Sequence, residues 1–251
     1  MKRLINLEMK KIKYPLFTTI IFCSIALSIL TCTLYSEWST SYRIDSWEIG
    51  TELFDFIFPI VVALPLSWSL YSERKNNYIS YVSARVFLPR YLLAKWIAQA
   101  IGAFLILFIP NILSAISALI LTTPTNPSAM QIAHIFETVY EKAPILYAFI
   151  LSIWRGFIGI LIMSMAYVLS MYIDNIFIIM TGPFVYYILE NFVLSVIGMP
   201  AYRLTTAYRP ISVSAKVITA SSFIVGPLLL IIFICSIGLV ESKVKKTKVR
   251  E

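Results

Sequence analysis

The sequence predicts an all-α integral membrane protein: six transmembrane helices, preceded by an amphipathic interfacial helix. Three observations carry that prediction. The first is composition: 59% of the 251 residues are hydrophobic and only 14% are charged, against about 25% charged in soluble domains. The mean hydropathy is +0.82. The second is the recurrence of apolar runs near the roughly 20 residues that cross a bilayer. The third is the clustering of bases beside those runs, which accounts for the net charge of +8 through topology and anionic lipid rather than nucleic acid.

Residues 1–14 are basic, with Lys2, Arg3, Lys10, Lys11 and Lys13. Met1, Leu4, Ile5, Met9 and Ile12 share one helical arc, which Glu8 interrupts. This suits a retained helix lying in the interface. The run that follows is too long for the h-region of a signal peptide. Residues 15–35 form the first span. A loop then carries Glu37, Asp45, Glu48 and Glu52, with Trp38, Tyr42 and Trp47 as an aromatic belt. The second span covers 53–71, where Pro59 and Pro65 predict a kink.

Residues 72–90 are polar and basic, so they lie in water or among headgroups. Tyr78, Ile79, Val82, Val86 and Phe87, with Ser80, Ser83 and Arg85 between, predict a short amphipathic helix stopped at Pro89. It reads as a docking element for a soluble cytoplasmic partner; the alternative is a loop that merely reconnects two helices. The third span covers 91–121, with Pro110 and Asn111 dividing it. A short helix capped by Ser128 reaches Glu141. Residues 144–173 and 176–197 are the fourth and fifth spans, joined by Asp174-Asn175, with Gly182-Pro183 a break in the fifth. Residues 198–216 are either an external loop or re-entrant. Residues 217–240 are the sixth span and 241–251 a basic tail. Six spans place both termini on one side. That side carries fifteen bases against five on the other, which predicts cytoplasmic termini and a cytoplasmic 72–90 segment.

The cysteines, Cys23, Cys32 and Cys235, sit in apolar runs without metal-ligand spacing, and the single histidine, His134, cannot form a metal cluster alone. No G-x-x-x-x-G-K-[ST] loop is present, so uphill movement would draw energy from a separate subunit. Arg155 and Glu190 are charges inside spans. Arg155 lies roughly 26 Å from the Asp174-Asn175 turn and Glu190 roughly 22 Å, at helical rise. The two helices are antiparallel, so the two side chains reach similar depth and are expected to pair; the alternative is that Arg155 snorkels to the outer interface. Gly156 and Gly159 give the fourth span a small face for close packing. Met163, Met165, Met171 and Met180 line an adaptable apolar path or simply pack. Arg203 and Arg209 are candidate outer-loop contacts for headgroups or an anionic cargo; the alternative is simple solvation.

These features together resemble the membrane permease of type-2 ATP-binding-cassette exporters, the group of bacterial drug, bacitracin and lantibiotic-immunity permeases. The shared pattern is Leu4–Lys11 (LINLEMKK), then Glu73-Arg74-Lys75, then Leu88-Pro89-Arg90 with Lys95 at the foot of a span, and the Asp174-Asn175 turn. Asn76-Asn77-Tyr78 stands where the family has Gly-Thr. The resemblance implies a coupling helix between spans two and three that seats in a cytoplasmic ATPase subunit. It assigns that contact to Glu73, Arg74, Lys75, Asn77, Tyr78, Tyr81, Val82, Leu88, Pro89 and Arg90. It implies a second permease, identical or homologous, and ATP and Mg held by the partner, with no cofactor in this chain. The expected protein sits in a bacterial cell membrane and exports an amphipathic or hydrophobic cargo such as a peptide antibiotic, a lipid-linked drug or a lipid, conferring resistance or immunity. The alternatives are a scaffold or sensor that docks a cytoplasmic partner, and a sodium-exporting permease, which would need intramembrane acids beyond Glu190.

Overall fold

Hydrocarbon offers backbone groups no water, so an apolar chain closes its hydrogen bonds within helices. The computed structural model describes residues 1–36, 42–123, 137–214 and 217–248. Among these residues there is no strand, and six helices are long and apolar enough to cross a membrane. α1 is Lys2–Ile29, extended by a π-helical turn at Leu30–Leu34. α2 is Asp45–Gly50 and α3 is Glu52–Lys75. α4 is Tyr78–Ser83 and α5 is Leu88–Leu121. α6 is Glu137–Lys142, α7 is Pro144–Tyr172 and α8 is Ile176–Val196. α9 is Leu204–Tyr208 and α10 is Ala220–Lys248.

Several boundaries differ from the sequence reading, and backbone closure explains them. α1 is continuous through Pro15. Residues 1–14 are therefore not a separate helix in the interface plane; Glu8, Ile12, Leu16 and Ile20 form one buried stripe on a single rod. α5 passes through Pro110 and α8 through Pro183 without a break. α3 contains both Pro59 and Pro65 within one helix, where the sequence predicts a kink rather than an end. A proline removes one N–H, whereas breaking a helix would strand several groups in lipid. α5 starts at Leu88, because Pro89 occupies its first turn, where a missing N–H is harmless. α10 begins at Ala220 and takes in most of the basic tail. The proposed Ser128 cap, Trp38 and His134 lie outside the described residues.

α5 packs between α1 and α7, and α3 packs on α7 and α8. The main core joins Leu16, Leu27, Phe58, Leu66, Ile106 and Ile162 from four of these helices. The small face of α7 meets α5. A Cβ at Gly159 would stand 2.7 Å from a Leu107 methyl and 3.2 Å from the Ala103 carbonyl oxygen, so glycine permits that approach. Met163 and Met165 are buried in this core, as packing residues. Trp96 Nε1 donates to Ser164 Oγ at 3.0 Å, and the Tyr167 hydroxyl donates to the Leu92 carbonyl at 2.8 Å, fixing α5 against α7.

Residues 200–212 are not a solvated loop. Leu204, Ala207 and Tyr208 have no exposed surface. The Tyr208 ring stacks on Phe58 at 4.0 Å between centroids and 7° between planes. A Cβ at Gly226 of α10 would fall 2.7 Å from the Leu204 nitrogen. The segment thus folds back into the bundle against α3, α7 and α10.

Candidate functional site

The end of the bundle where α1 begins also holds the end of α3, α4 and the start of α5. α3 ends in Arg74 and Lys75. Asn77 then adopts φ 55°, a left-handed conformation that asparagine tolerates and that turns the chain. α4 follows, six residues long, and its faces divide. Ile79 packs on the core and Val82 is half-buried. Tyr78, Tyr81, Arg85 and Phe87 are exposed, Tyr81 to 74%. The helix stops at Ser83 rather than at Pro89, which starts the next helix.

Beneath α4 lies a compact ionic cluster. Lys95 is 1% exposed, and its Nζ is 2.8 Å from a Glu8 oxygen and 2.8 Å from a Glu73 oxygen. Lys11 Nζ reaches the same two carboxylates at 2.6 and 2.9 Å. The Tyr91 hydroxyl donates to Glu73 at 2.8 Å. Two ammoniums and two carboxylates balance, which is how buried charge is tolerated. The cluster ties α1, α3 and α5 together directly behind the exposed helix. Arg74 adds a second tie: its guanidinium donates to the Ile173 carbonyl and pairs with Asp174 in the α7–α8 turn. In that turn Asn175 caps α8 by accepting from the Phe177 N–H at 2.9 Å.

The residues assigned to the docking segment therefore divide by role. Glu73 and Arg74 are engaged inside the bundle. Lys75, Asn77, Tyr78, Tyr81, Pro89 and Arg90 face outward, while Val82 and Leu88 are half-buried. The surface around them is strongly basic. Lys2, Arg3, Lys10, Lys13, Lys75, Arg85 and Arg90 are exposed, and Asp174, an exposed carboxylate at the α7–α8 turn, is already paired with Arg74.

The opposite half of the bundle corrects the second expectation. Arg155 and Glu190 do not pair. Arg155 is 1% exposed, bonds Asn111 Oδ1 at 2.5 Å and lies 3.5 Å from Asp55 Oδ2. Its Nε donates to the Tyr208 carbonyl at 3.2 Å, and its guanidinium lies 5.1 Å from the Trp47 and Tyr208 ring centroids. Glu190 instead accepts the Leu204 N–H at 2.9 and 3.1 Å. The two charges hold opposite ends of α9, each turned about its own helix axis to a different neighbour. Arg209, a candidate outer-loop contact, is 2.9 Å from Glu52 and 3.8 Å from Asp55. Arg203 donates to the Pro200 carbonyl at 2.9 Å and to Ser195 Oγ at 3.0 Å.

Asp55 escaped sequence reasoning although it is an acid inside an apolar run, the type of residue that marks an intramembrane partner. Two further acids, Asp45 and Glu48, are buried on α2. The Tyr140 hydroxyl donates to Asp45, and the Tyr147 hydroxyl donates to Glu48 at 2.6 Å. Burial, reinforced by Glu48 and Asp45, holds the Tyr140 phenol well above its usual range, so it stays a donor at physiological pH. No group of His, Cys, Asp and Glu suited to a metal ion occurs among the described residues.

Compared with known proteins, the chain matches no family model, no curated protein and no solved structure.

Proposed function

We propose that this chain is the permease subunit of an ATP-driven exporter in a bacterial cell membrane. In this reading both termini and α4 face the cytoplasm, and α4 docks a separate ATP-binding-cassette ATPase that holds ATP and Mg. The single observation that carries the reading is α4 itself. It is a short helix with exposed Tyr78 and Tyr81, followed by exposed Phe87 before α5, in a basic surround and seated on an ionic cluster that links three spans. Aromatic anchors rimmed by charge suit insertion into a groove. A rigid support is what a push delivered at α4 needs in order to reach α1, α3 and α5 together.

Two copies, or this chain and a homologous permease, would enclose the cargo path. The cargo is amphipathic or hydrophobic: a peptide antibiotic, a lipid-linked drug or a lipid. The buried acid Asp55 does not favour sodium export, because Arg155 and Arg209 already flank it.

The test is co-expression with an ATP-binding-cassette subunit, co-purification, and ATP turnover in proteoliposomes. The expected result is a stable complex whose turnover rises several-fold over the isolated ATPase and falls back in Tyr81→Asp. A complex whose turnover is indifferent to this chain would favour a scaffold or sensor and overturn the transport reading.

A further inference from the structure

An apolar groove of about 350 Å³ opens on the side of the bundle remote from α4. Tyr147, Ile150, Leu151 and Trp154 of α7 form one wall; Phe223 of α10 and Pro210 close the other. The groove runs from Tyr147, three residues into α7, to Trp154, ten residues in, which is about 10 Å along the helix. It lies in the half of the bundle that also holds Arg155 and α9. Among the described residues its lining carries no charged side chain.

Continuity and size identify the occupant. The groove opens onto the apolar belt that α7 and α10 present outward, where Ile150, Phe157, Ile224 and Leu228 are 47–56% exposed. In helices that cross a membrane, such a belt faces hydrocarbon. The volume falls within the roughly 300–1,000 Å³ of small-ligand pockets, and a flexible hydrocarbon chain enters such a groove from that belt without leaving the apolar layer.

We propose that this groove binds one acyl chain of a membrane phospholipid, and that the seated chain braces residues 200–212 against α7. The brace follows from the walls. Trp154 Nε1 donates to the Ala207 carbonyl at 2.9 Å, and Pro210 follows Tyr208 and Arg209, which are held by Arg155 and Glu52. A chain between Pro210, Phe223 and Trp154 fills the gap beside that bond. This inference does not depend on whether α4 docks an ATPase.

The experiment uses the full chain purified from membranes, with phosphatidylglycerol as the probe. Native mass spectrometry of the wild type is expected to retain one phospholipid per chain through delipidation. Ile150→Trp, which fills the groove from an exposed position, is expected to retain at least five-fold less. Ile120→Trp, at a 72% exposed site on α5, is expected to retain as much as wild type. Adding phosphatidylglycerol back should raise the Tm of the wild type and leave that of Ile150→Trp unmoved. Equal retention in all three proteins, meaning annular lipid only, overturns the proposal. So does disulfide capture of a second copy through Ile150→Cys. Should Ile150→Trp fail to fold, fluorescence decides. Phosphatidylglycerol with dibrominated chains must quench emission that Trp154→Phe removes, and absence of that quenching overturns the proposal.

Discussion

Replacing Lys95 by methionine keeps the length of the buried stem and deletes only the ammonium. In the native cluster that ammonium sits 2.8 Å from both Glu8 and Glu73. Without it, the two carboxylates share Lys11 alone, whose side chain is 39% exposed, and one negative charge is left uncompensated. Two charge-assisted hydrogen bonds are lost, each worth about 1.5–3 kcal/mol. Lys11 already contacts both acids and recovers part of the loss, so the net destabilisation is expected at about 3 kcal/mol, the lower end for breaking a buried pair. The assay is reversible unfolding in mixed micelles, run as a double-mutant cycle with Glu8→Gln. The double variant restores neutrality and is expected to be more stable than the sum of the single effects by at least about 1 kcal/mol. A Lys95→Met loss below about 1 kcal/mol, or strict additivity, would refute the view that α1, α3 and α5 are joined by one balanced ionic cluster.

Three further outcomes follow from the packing. Arg155→Met leaves Asp55 with Arg209, at 3.8 Å, as its cation and the Thr51 hydroxyl as a donor at 3.2 Å, and is expected to cost about 3 kcal/mol. Asp55→Asn should recover part of that loss in a cycle, whereas Glu190→Gln should recover none. Gly159→Val drives side-chain atoms into Leu107 and the Ala103 carbonyl, for an expected loss of about 1–3 kcal/mol by thermal unfolding. Gly238→Ala, where a Cβ meets nothing within 4 Å, should be neutral or stabilising by up to about 1 kcal/mol.

The spans were legible because bilayer thickness imposes a length on every apolar run, and four of the six predicted spans lie within four residues of the observed helices at both ends. The exceptions are α1 and α10, which run on without a break into the basic ends of the chain. The short turn at Asp174-Asn175 was legible for the same reason. Hydropathy alone, however, does not record rotation about a helix axis. Arg155 and Glu190 were placed at one depth, yet Arg155 turns to Asp55 and Asn111 and Glu190 to the Leu204 N–H. Glu8 read as a flaw in an amphipathic arc because its partner, Lys95, lies 87 residues away. Once α1 and α5 are seen side by side, the same residue is the centre of the ionic cluster. Proline read as punctuation, but in a helix that crosses hydrocarbon, closing the remaining hydrogen bonds outweighs one missing donor. The inward fold of residues 200–212 had no periodic signal, since its pieces are three to five residues long. What hinted at it was the gathering of three of the five predicted outer bases, Arg203, Arg209 and Lys216, in this one segment, and Arg209 proves to be neutralised by Glu52 and Asp55.

The most direct measurement concerns the side on which α4 lies. A single cysteine is placed at Tyr81, which is 74% exposed, in a chain whose Cys23, Cys32 and Cys235 are replaced. Intact cells are then treated with a membrane-impermeant maleimide. Labelling only after the membrane is permeabilised is the predicted result; labelling of intact cells to the same extent would contradict a cytoplasmic docking helix and the exporter built on it.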